Sequence, residues 1–228
     1  MIFPMIPFDF VLRVSIQSLL FILVMTALLF LPAGTFLYWE GWAFLAAFLI
    51  PTVFITLYLY KNDPALLKRR MKRGEQRPIE RMIMAILSVL LTVSFVFAAL
   101  DHRFGWSQVP WQAVVIADVL IVLGFSIVFL TFKVNTYTSR VIEIDKGQKV
   151  ITTGPYAIVR HPMYLGSTIM ILATPVALGS WWTLIGFALV IPFIMLRAVD
   201  EEKLLTKGLP GYAAYRKKVT YRLVPGVW

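Results

Sequence analysis

The chain contains no cysteine and only two histidines, His102 and His161, among its 228 residues. Disulfides, thiolate nucleophiles and cysteine metal sites are therefore excluded. We expect the two histidines on opposite sides of a membrane, so we predict no metal site. Acidic residues are also few, with 12 Asp and Glu against 22 Lys and Arg and a formal net charge of +10.

The signatures of soluble nucleotide-binding and hydrolytic domains are missing as well. The sequence has no G-x-G-x-x-G, no Walker loop, no H-E-x-x-H and no G-x-S-x-G. It shows neither an internal repeat nor a soluble domain. Apolar residues are abundant instead and make up 59% of the chain.

Long, nearly uncharged apolar runs predict an all-α, polytopic membrane protein. We predict six transmembrane helices, the last two being the shortest, at residues 14–31, 42–60, 83–100, 114–132, 164–178 and 182–199. The first run is preceded by Asp9, lacks a basic leading region and has no small-x-small cleavage site after it. We therefore expect it to be a membrane span and not a signal peptide.

The basic residues predict the orientation of these helices. With six spans, one side of the membrane receives every Lys and Arg except Arg103. The positive-inside rule places that side, with both termini and the candidate site, in the cytoplasm. Because the basic residues flank the spans, we expect them to contact anionic membrane lipids and not nucleic acid. Within the connector 61–82, Leu66, Leu67 and Met71 share one face, which predicts a partly interfacial helix.

A polar, turn-rich and locally β-prone segment occupies residues 133–163, between the fourth and fifth apolar runs. His161 precedes a proline and should be extended. Pro162 suits the first position of a helix, so the fifth helix should begin at Pro162 or Met163. Free backbone N–H groups at that start, beside Arg160 and His161, would suit an anion.

Charged residues also follow the sixth apolar run directly, in "LRAVDEEKLL". Arg197 and Glu201 are four residues apart and share one face of a helix. Ionisable residues at membrane depth are candidate functional residues. In the tail that follows, Tyr212, Tyr215 and Val219 recur at helical spacing, which favours an interfacial helix over a lid on a site.

Three stretches together resemble the isoprenylcysteine carboxyl methyltransferase family of integral-membrane enzymes, which shares elements with the phospholipid methyltransferases. They are "TTGPYAIVRHPMYLG", "RAVDEEKLL" and "YAAYRKKVTYRLVPGVW", within a resemblance that covers about residues 118–228. We therefore predict an N-terminal part, residues 1–110, with three helices. Residues 111–228 would form a methyltransferase-like core with a cofactor pocket on the cytoplasmic side.

The resemblance implies S-adenosylmethionine as the cofactor. It implies cofactor-binding roles for Gly154, Tyr156, Arg160, His161, Pro162, Tyr164, Gly166, Glu202, Tyr215 and Asn135. Arg197 and Glu201 match the family's Arg-x-x-x-Glu pair near the reacting groups. The acceptor would be lipophilic, either a small molecule or a lipidated substrate, and would enter from the bilayer between the last spans. A carboxylate acceptor would need orientation more than acid–base catalysis.

Three other functions stay open on the sequence. An amine acceptor, as in phospholipid N-methylation, would use Glu201 as a base. Membrane sterol reductases that use NADPH have a similar C-terminal half but read Arg-His-x-Asn-Tyr, where this chain has Pro162 and Met163. A membrane transporter would use Asp118, which lies inside the fourth apolar run.

Overall fold

A computed structural model describes residues 8–71, 77–139 and 141–228. Within these ranges the chain is helical and contains no strand. The α-helices, in chain order, are α1 Phe8–Ala33, α2 Trp39–Asn62, α3 Pro64–Arg70, α4 Pro78–Phe104, α5 Trp111–Val134, α6 Pro162–Ala177, α7 Thr183–Ala188, α8 Ile191–Gly208 and α9 Tyr212–Lys218. The β-prone segment before α6 instead forms turns and one 3-10 helix, Gly154–Ala157.

The predicted all-α polytopic fold is confirmed. Within the described residues, five helical segments are long and apolar enough to cross a membrane: Leu12–Ala33, Trp39–Asn62, Pro78–Phe104, Trp111–Val134 and Thr183–Gly208. The remaining predicted span is α6, which has only 16 residues. At 1.5 Å per residue it rises about 24 Å, less than the hydrocarbon thickness of about 30 Å. Six apolar helices therefore occur where predicted, but only five reach full spanning length.

A close crossing of α5 and α6 fixes the start of α6. A Cβ on Gly166 would lie 2.6 Å from the carbonyl oxygen of Gly124, and one on Gly124 would lie 2.7 Å from that of Gly166. Small residues let membrane helices approach each other at such distances. The crossing holds the first turns of α6 against the middle of α5.

The connector helix α3 belongs to the protein core. Leu66 and Leu67 are 0% and 5% exposed and pack with core residues of α2 and α5, so the prediction that they face the membrane interface is wrong. Asp63 caps α3 by accepting a hydrogen bond from the Leu66 N–H at 2.9 Å. The Arg69 guanidinium binds the Asp145 carboxylate at 2.6 Å. These contacts attach α3 to the polar segment before α6.

Polar side chains tie the helices together at the other end of the bundle. The buried Tyr38 hydroxyl donates to the Leu178 carbonyl at 2.6 Å. Asp101 accepts hydrogen bonds from the Ser107 N–H at 2.7 Å and from the Ser180 hydroxyl. Because these contacts join α2, α4 and the segment between α6 and α7, they position α6 from its far end.

Candidate functional site

An open cavity of about 850 Å³ lies beside the first turn of α6. Its walls come from the polar segment after α5, from α6, α8 and α9. Eight of the residues predicted for the site line it: Asn135, Tyr156, Arg160, His161, Tyr164, Arg197, Glu201 and Tyr215. Residues that are far apart in the sequence therefore meet at one end of the bundle.

The backbone at the start of α6 has the conformation that the His161–Pro162 pair predicts. His161 has φ −125° and ψ 63°, outside the helical region, and α6 begins at Pro162, as predicted. The N–H of Arg160 donates to the Tyr221 carbonyl at 3.0 Å, and that of His161 to the Arg222 carbonyl at 2.9 Å. The C-terminal segment is thereby fixed against the start of α6.

Glu202 is a buried hub beneath this mouth and is not among the residues that line the cavity. Its Oε1 accepts a hydrogen bond from the Arg160 Nε at 2.6 Å and lies 3.2 Å from the His161 Nε2. Its Oε2 accepts from the Arg222 Nε at 3.1 Å. The Arg216 Nε also lies 3.8 Å from Oε2. One carboxylate thus offsets the charge of three guanidinium groups and orients the imidazole. Glu202 therefore supports the side chains around the site and does not itself face the cavity.

Arg160 also contacts the C-terminal segment of the chain. Its Nη1 donates to the carbonyl oxygens of Val219 at 2.8 Å and Thr220 at 2.7 Å, in addition to the bond with Glu202. Its side chain is 5% exposed. Since three of its donors are used, Arg160 clamps the C-terminal segment onto the site.

Three further predicted residues shape the backbone or the packing and do not line the cavity. Gly154 has φ +58°, a left-handed conformation that glycine adopts without strain, and begins the 3-10 helix. Pro162 starts α6. Gly166 makes the close crossing with α5.

Two tyrosines, the partly buried Tyr156 and the buried Tyr215, form another part of the wall. The Asn135 Nδ2 donates to the Tyr156 hydroxyl at 2.8 Å. The Tyr215 hydroxyl donates to the Tyr156 carbonyl at 2.8 Å. Burial raises the pKa of Tyr156 above its ordinary value and raises the pKa of Tyr215 to about 12. Both phenols therefore stay protonated at neutral pH.

The tail helix α9 covers the cavity, contrary to the prediction of an interfacial helix. Tyr212 and Tyr215 are each 5% exposed and pack on Leu205 and Leu209 of the preceding segment. Tyr212 also lines the cavity. Its buried hydroxyl has no hydrogen-bond partner among the described residues. Sequence reasoning did not nominate Tyr212, and only its helical spacing with Tyr215 could have indicated it.

Arg197 is held by a chain of side chains that sequence reasoning found only in part. Its Nε donates to the Tyr164 hydroxyl at 3.2 Å, and Tyr164 donates to the Glu201 Oε2 at 2.7 Å. Arg197 and Glu201, predicted as a pair, are therefore linked through Tyr164. On the other side, the Arg197 Nη1 lies 3.3 Å from an oxygen of Glu80, which is 0% exposed. Glu80 belongs to α4 and was not predicted.

A second, larger cavity of about 2120 Å³ adjoins the first. Four residues line both cavities: Ser139, Met163, Tyr164 and Arg197. Most of the other lining residues are apolar, and most belong to α1, α2 and α4. The Arg197–Tyr164 contact therefore lies where a polar cavity meets an apolar one.

This arrangement can bring together a polar molecule and an apolar one. Donors and acceptors of several kinds face the first cavity, including an amide, an imidazole, phenols and carboxylates. Among the described residues, no group of three or more metal-ligating side chains could hold a metal ion. Side chains of these kinds can position a polar reactant beside an apolar one.

Comparison with known proteins finds a family match that covers most of this site. Residues 112–210 match the family model described as phospholipid methyltransferase. The matched segment contains eleven of the twelve predicted site residues and excludes Tyr215. It also excludes Glu80, Tyr212 and helices α1 to α4.

Three individual proteins also match parts of this chain. The protein-S-isoprenylcysteine O-methyltransferase of Schizosaccharomyces pombe is 39% identical over 77 residues, which are 33% of this chain and 33% of that protein. The cobalt-zinc-cadmium resistance protein CzcN of Cupriavidus metallidurans is 29% identical over 132 residues, 56% of this chain and 58% of that protein. A Delta(14)-sterol reductase of Mus musculus is 35% identical over 86 residues, 36% of this chain and 20% of that protein.

The chain spans less than two thirds of the length of each of these relatives. Residues 112–210, which build most of the polar cavity, match the phospholipid methyltransferase family model, and the resemblance to the membrane methyltransferases, isoprenylcysteine carboxyl methyltransferases included, is confirmed.

Proposed function

We propose that this chain is an integral-membrane methyltransferase that uses S-adenosylmethionine to methylate a lipophilic acceptor. The observation that carries the proposal is the meeting of the polar and apolar cavities at Tyr164 and Arg197. A water-soluble cofactor and a membrane-dissolved acceptor could reach one another there without either leaving its own solvent. The family match over residues 112–210 supports methyl transfer as the reaction.

The residues of the polar cavity fit the chemical groups of this cofactor. The orphaned Tyr212 hydroxyl needs a polar partner inside the cavity, because a buried hydroxyl without one costs free energy. The rings of Tyr156, Tyr164 and Tyr215 suit a sulfonium cation. Asn135 and His161 offer groups for the polar ends of the molecule. These six residues would hold the cofactor.

When bound, the cofactor supplies a methyl group whose bond to sulfur breaks as the bond to the acceptor atom forms. The protein's part is alignment, since well-oriented reactants gain up to about 7–11 kcal/mol over free ones. Arg197 would orient an acceptor carboxylate through its guanidinium. Tyr164 and Glu80 would hold that guanidinium from two sides.

We propose a carboxylate as the acceptor group, as in isoprenylcysteine carboxyl methylation. A carboxylate is already deprotonated at neutral pH, so no residue has to remove a proton. The alternative is a phospholipid amine, for which Glu201 would be the base; its carboxylate lies next to the Tyr164 hydroxyl, at the junction of the cavities. Because the matched family model is described as phospholipid methyltransferase, the experiment below also tests this alternative.

We also propose that the end of the bundle that carries the site faces the cytoplasm. All Lys and Arg residues except Arg103 belong to segments at that end in the predicted topology. An excess of Lys and Arg in short loops marks the cytoplasmic side. Accessibility of a cysteine introduced at Lys149 in intact cells would check this orientation, because the chain has no native cysteine.

Methyl transfer from radiolabelled S-adenosylmethionine tests the proposed function directly. Purified protein in vesicles would receive either N-acetyl-S-farnesylcysteine or phosphatidylethanolamine as the acceptor. We expect base-labile label on the first, as a methyl ester, and none on the second. Base-stable label on the phospholipid would favour the amine alternative. NADPH-dependent reduction of a sterol diene, without methyl transfer, would overturn the proposal.

A further inference from the structure

The large apolar cavity is lined mainly by the helices α1 and α2. Its lining runs from Val14 to Ile22 on α1 and from Phe48 to Leu57 on α2. Ile22 lies eight positions after Val14, which corresponds to a depth of about 12 Å along the helix. Helices α1 and α2 lie outside the segment that matches the family model. This chamber is therefore built largely by the part of the chain that the family match leaves unexplained.

Aromatic rings close the chamber at the end away from the site. Phe21 and Phe48 both line it, and their ring centroids are 5.9 Å apart. Phe48 also packs edge-to-face on Phe125 at 5.0 Å. Beyond this pair α1 and α2 stay joined, with the rings of Phe30 and Trp42 4.4 Å apart. A chain that enters from the site would therefore end against Phe21 and Phe48.

The chamber has a different character at the end next to the site. Among the described residues that line it, the only charged ones are two arginines, Arg70 and Arg197. The Arg70 Nη1 donates to the Ser139 carbonyl at 3.1 Å, and its guanidinium carbon lies 5.2 Å from the centre of the Phe132 ring. Both guanidinium groups are therefore anchored where the chamber meets the polar cavity. Two cations at the end of an apolar space complement an anionic head on an apolar chain.

We propose that the chamber binds one long hydrocarbon chain that carries a carboxylate head. The chain would lie between α1 and α2 with its end at Phe21 and Phe48, and the carboxylate would lie between Arg70 and Arg197. This inference rests on the proposed function and adds to it that α1, α2 and α3 select the acceptor. Burial of a hydrocarbon chain against protein provides selectivity by length, because the floor is made of two bulky rings.

Two features of the chamber set it apart from the ordinary lipid-facing surface. It is continuous with the polar cavity through Tyr164 and Arg197, so the head of its occupant reaches the proposed reacting groups. It also carries hydroxyl and amide side chains, such as Ser18, Gln17 and Thr52, on its wall. A lipid that merely coats the protein would not need a path to the polar cavity.

Photolabelling in vesicles tests this inference without requiring turnover. The probe is palmitic acid with a diazirine at the chain end, and labelled residues are identified by mass spectrometry. We expect label around Phe21 and Phe48, and competition by unlabelled palmitic acid but not by hexadecylamine. Label that is spread evenly over lipid-facing residues such as Ile50, without competition, would contradict binding of the chain in the chamber. Equal competition by hexadecylamine would contradict the preference for an anionic head group.

A matched pair of variants gives the control. Ser18→Trp fills the chamber, whereas Leu19→Trp places the same ring on a neighbouring residue of α1 that is 59% exposed and does not line the chamber. We expect most of the label to be lost in the first variant and retained in the second. Equal labelling of both would contradict the inference. Binding of S-adenosylhomocysteine to the same samples is measured separately. If the unmodified protein does not bind it, the proposed function is contradicted, but the photolabelling result still tests the chamber.

Discussion

Replacing Glu80 with glutamine should separate the positioning of Arg197 from the binding of the cofactor. Glu80 and Arg197 are 3.3 Å apart, and their side chains are 0% and 10% exposed. Removing one partner of a buried ion pair leaves the other charge uncompensated, at a cost of about 3–5 kcal/mol. Tyr164 still contacts Arg197, so we expect the lower part of that range. The glutamine keeps the volume of the side chain and removes only its charge.

The consequence for catalysis follows from the position of Arg197 at the junction of the cavities. A shift of about 1 Å in an orienting group can reduce turnover roughly 100-fold. We expect a loss of that order in methyl transfer, with affinity for S-adenosylhomocysteine nearly unchanged, because Glu80 does not line the polar cavity. Radiolabelled-methyl transfer and calorimetry, performed on the same detergent-purified sample, measure the two effects.

The control for this variant is a second ion pair. Arg77, the residue just before α4, pairs with Asp200 of α8, and their side chains are 36% and 22% exposed. Such partly exposed pairs contribute only about 0–1 kcal/mol. Asp200→Asn should therefore retain both activity and cofactor affinity. Full activity of Glu80→Gln, or equal loss in both variants, would refute the positioning of Arg197 by Glu80.

Three further variants test other parts of the site. Tyr212→Phe should weaken binding of S-adenosylhomocysteine by up to about tenfold without lowering the melting temperature, because its hydroxyl has no described protein partner; unchanged affinity would contradict its role. Arg160→Ala should destabilise the protein by about 3–5 kcal/mol, and Arg222→Ala by less because that side chain is 28% exposed; thermal unfolding in detergent compares them, and the reverse order would contradict the clamp. Gly166→Val should cost about 1–3 kcal/mol by forcing α6 away from α5, whereas Leu172→Val on an exposed face of α6 should change the melting temperature little.

Local rules accounted for much of the fold. The lengths of the apolar runs predicted where the membrane helices lie, and the His161–Pro162 pair predicted the start of α6. The shortness of α6 was also predicted, because the apolar run 164–178 is nearly as long as the helix Pro162–Ala177. Gly179 follows it with a left-handed φ of +70°. Leu66 and Leu67 were misplaced because a short amphipathic helix looks the same whether it covers lipid or protein.

The candidate site was predicted only where its residues fall within recognisable motifs. Glu80 lies in a highly charged connector, where a single carboxylate gives no sign that it will pair with Arg197 over one hundred residues later. Glu202 stands beside Glu201, yet one faces Arg160 and the other Tyr164. Their positions on adjacent faces of α8 explain this difference, but the partners depend on tertiary packing. The covering role of α9 likewise depends on contacts with Tyr156.

Calorimetric titration of the detergent-purified protein with S-adenosylhomocysteine, beside NADPH, tests the central claim most directly. The account predicts saturable binding of S-adenosylhomocysteine that is weakened by His161→Ala, and no binding of NADPH. His161 lines the polar cavity, and its backbone N–H also holds the C-terminal segment, so the alanine changes only the imidazole. Binding of NADPH, or of neither molecule, would contradict the assignment of this cavity to a methyl donor.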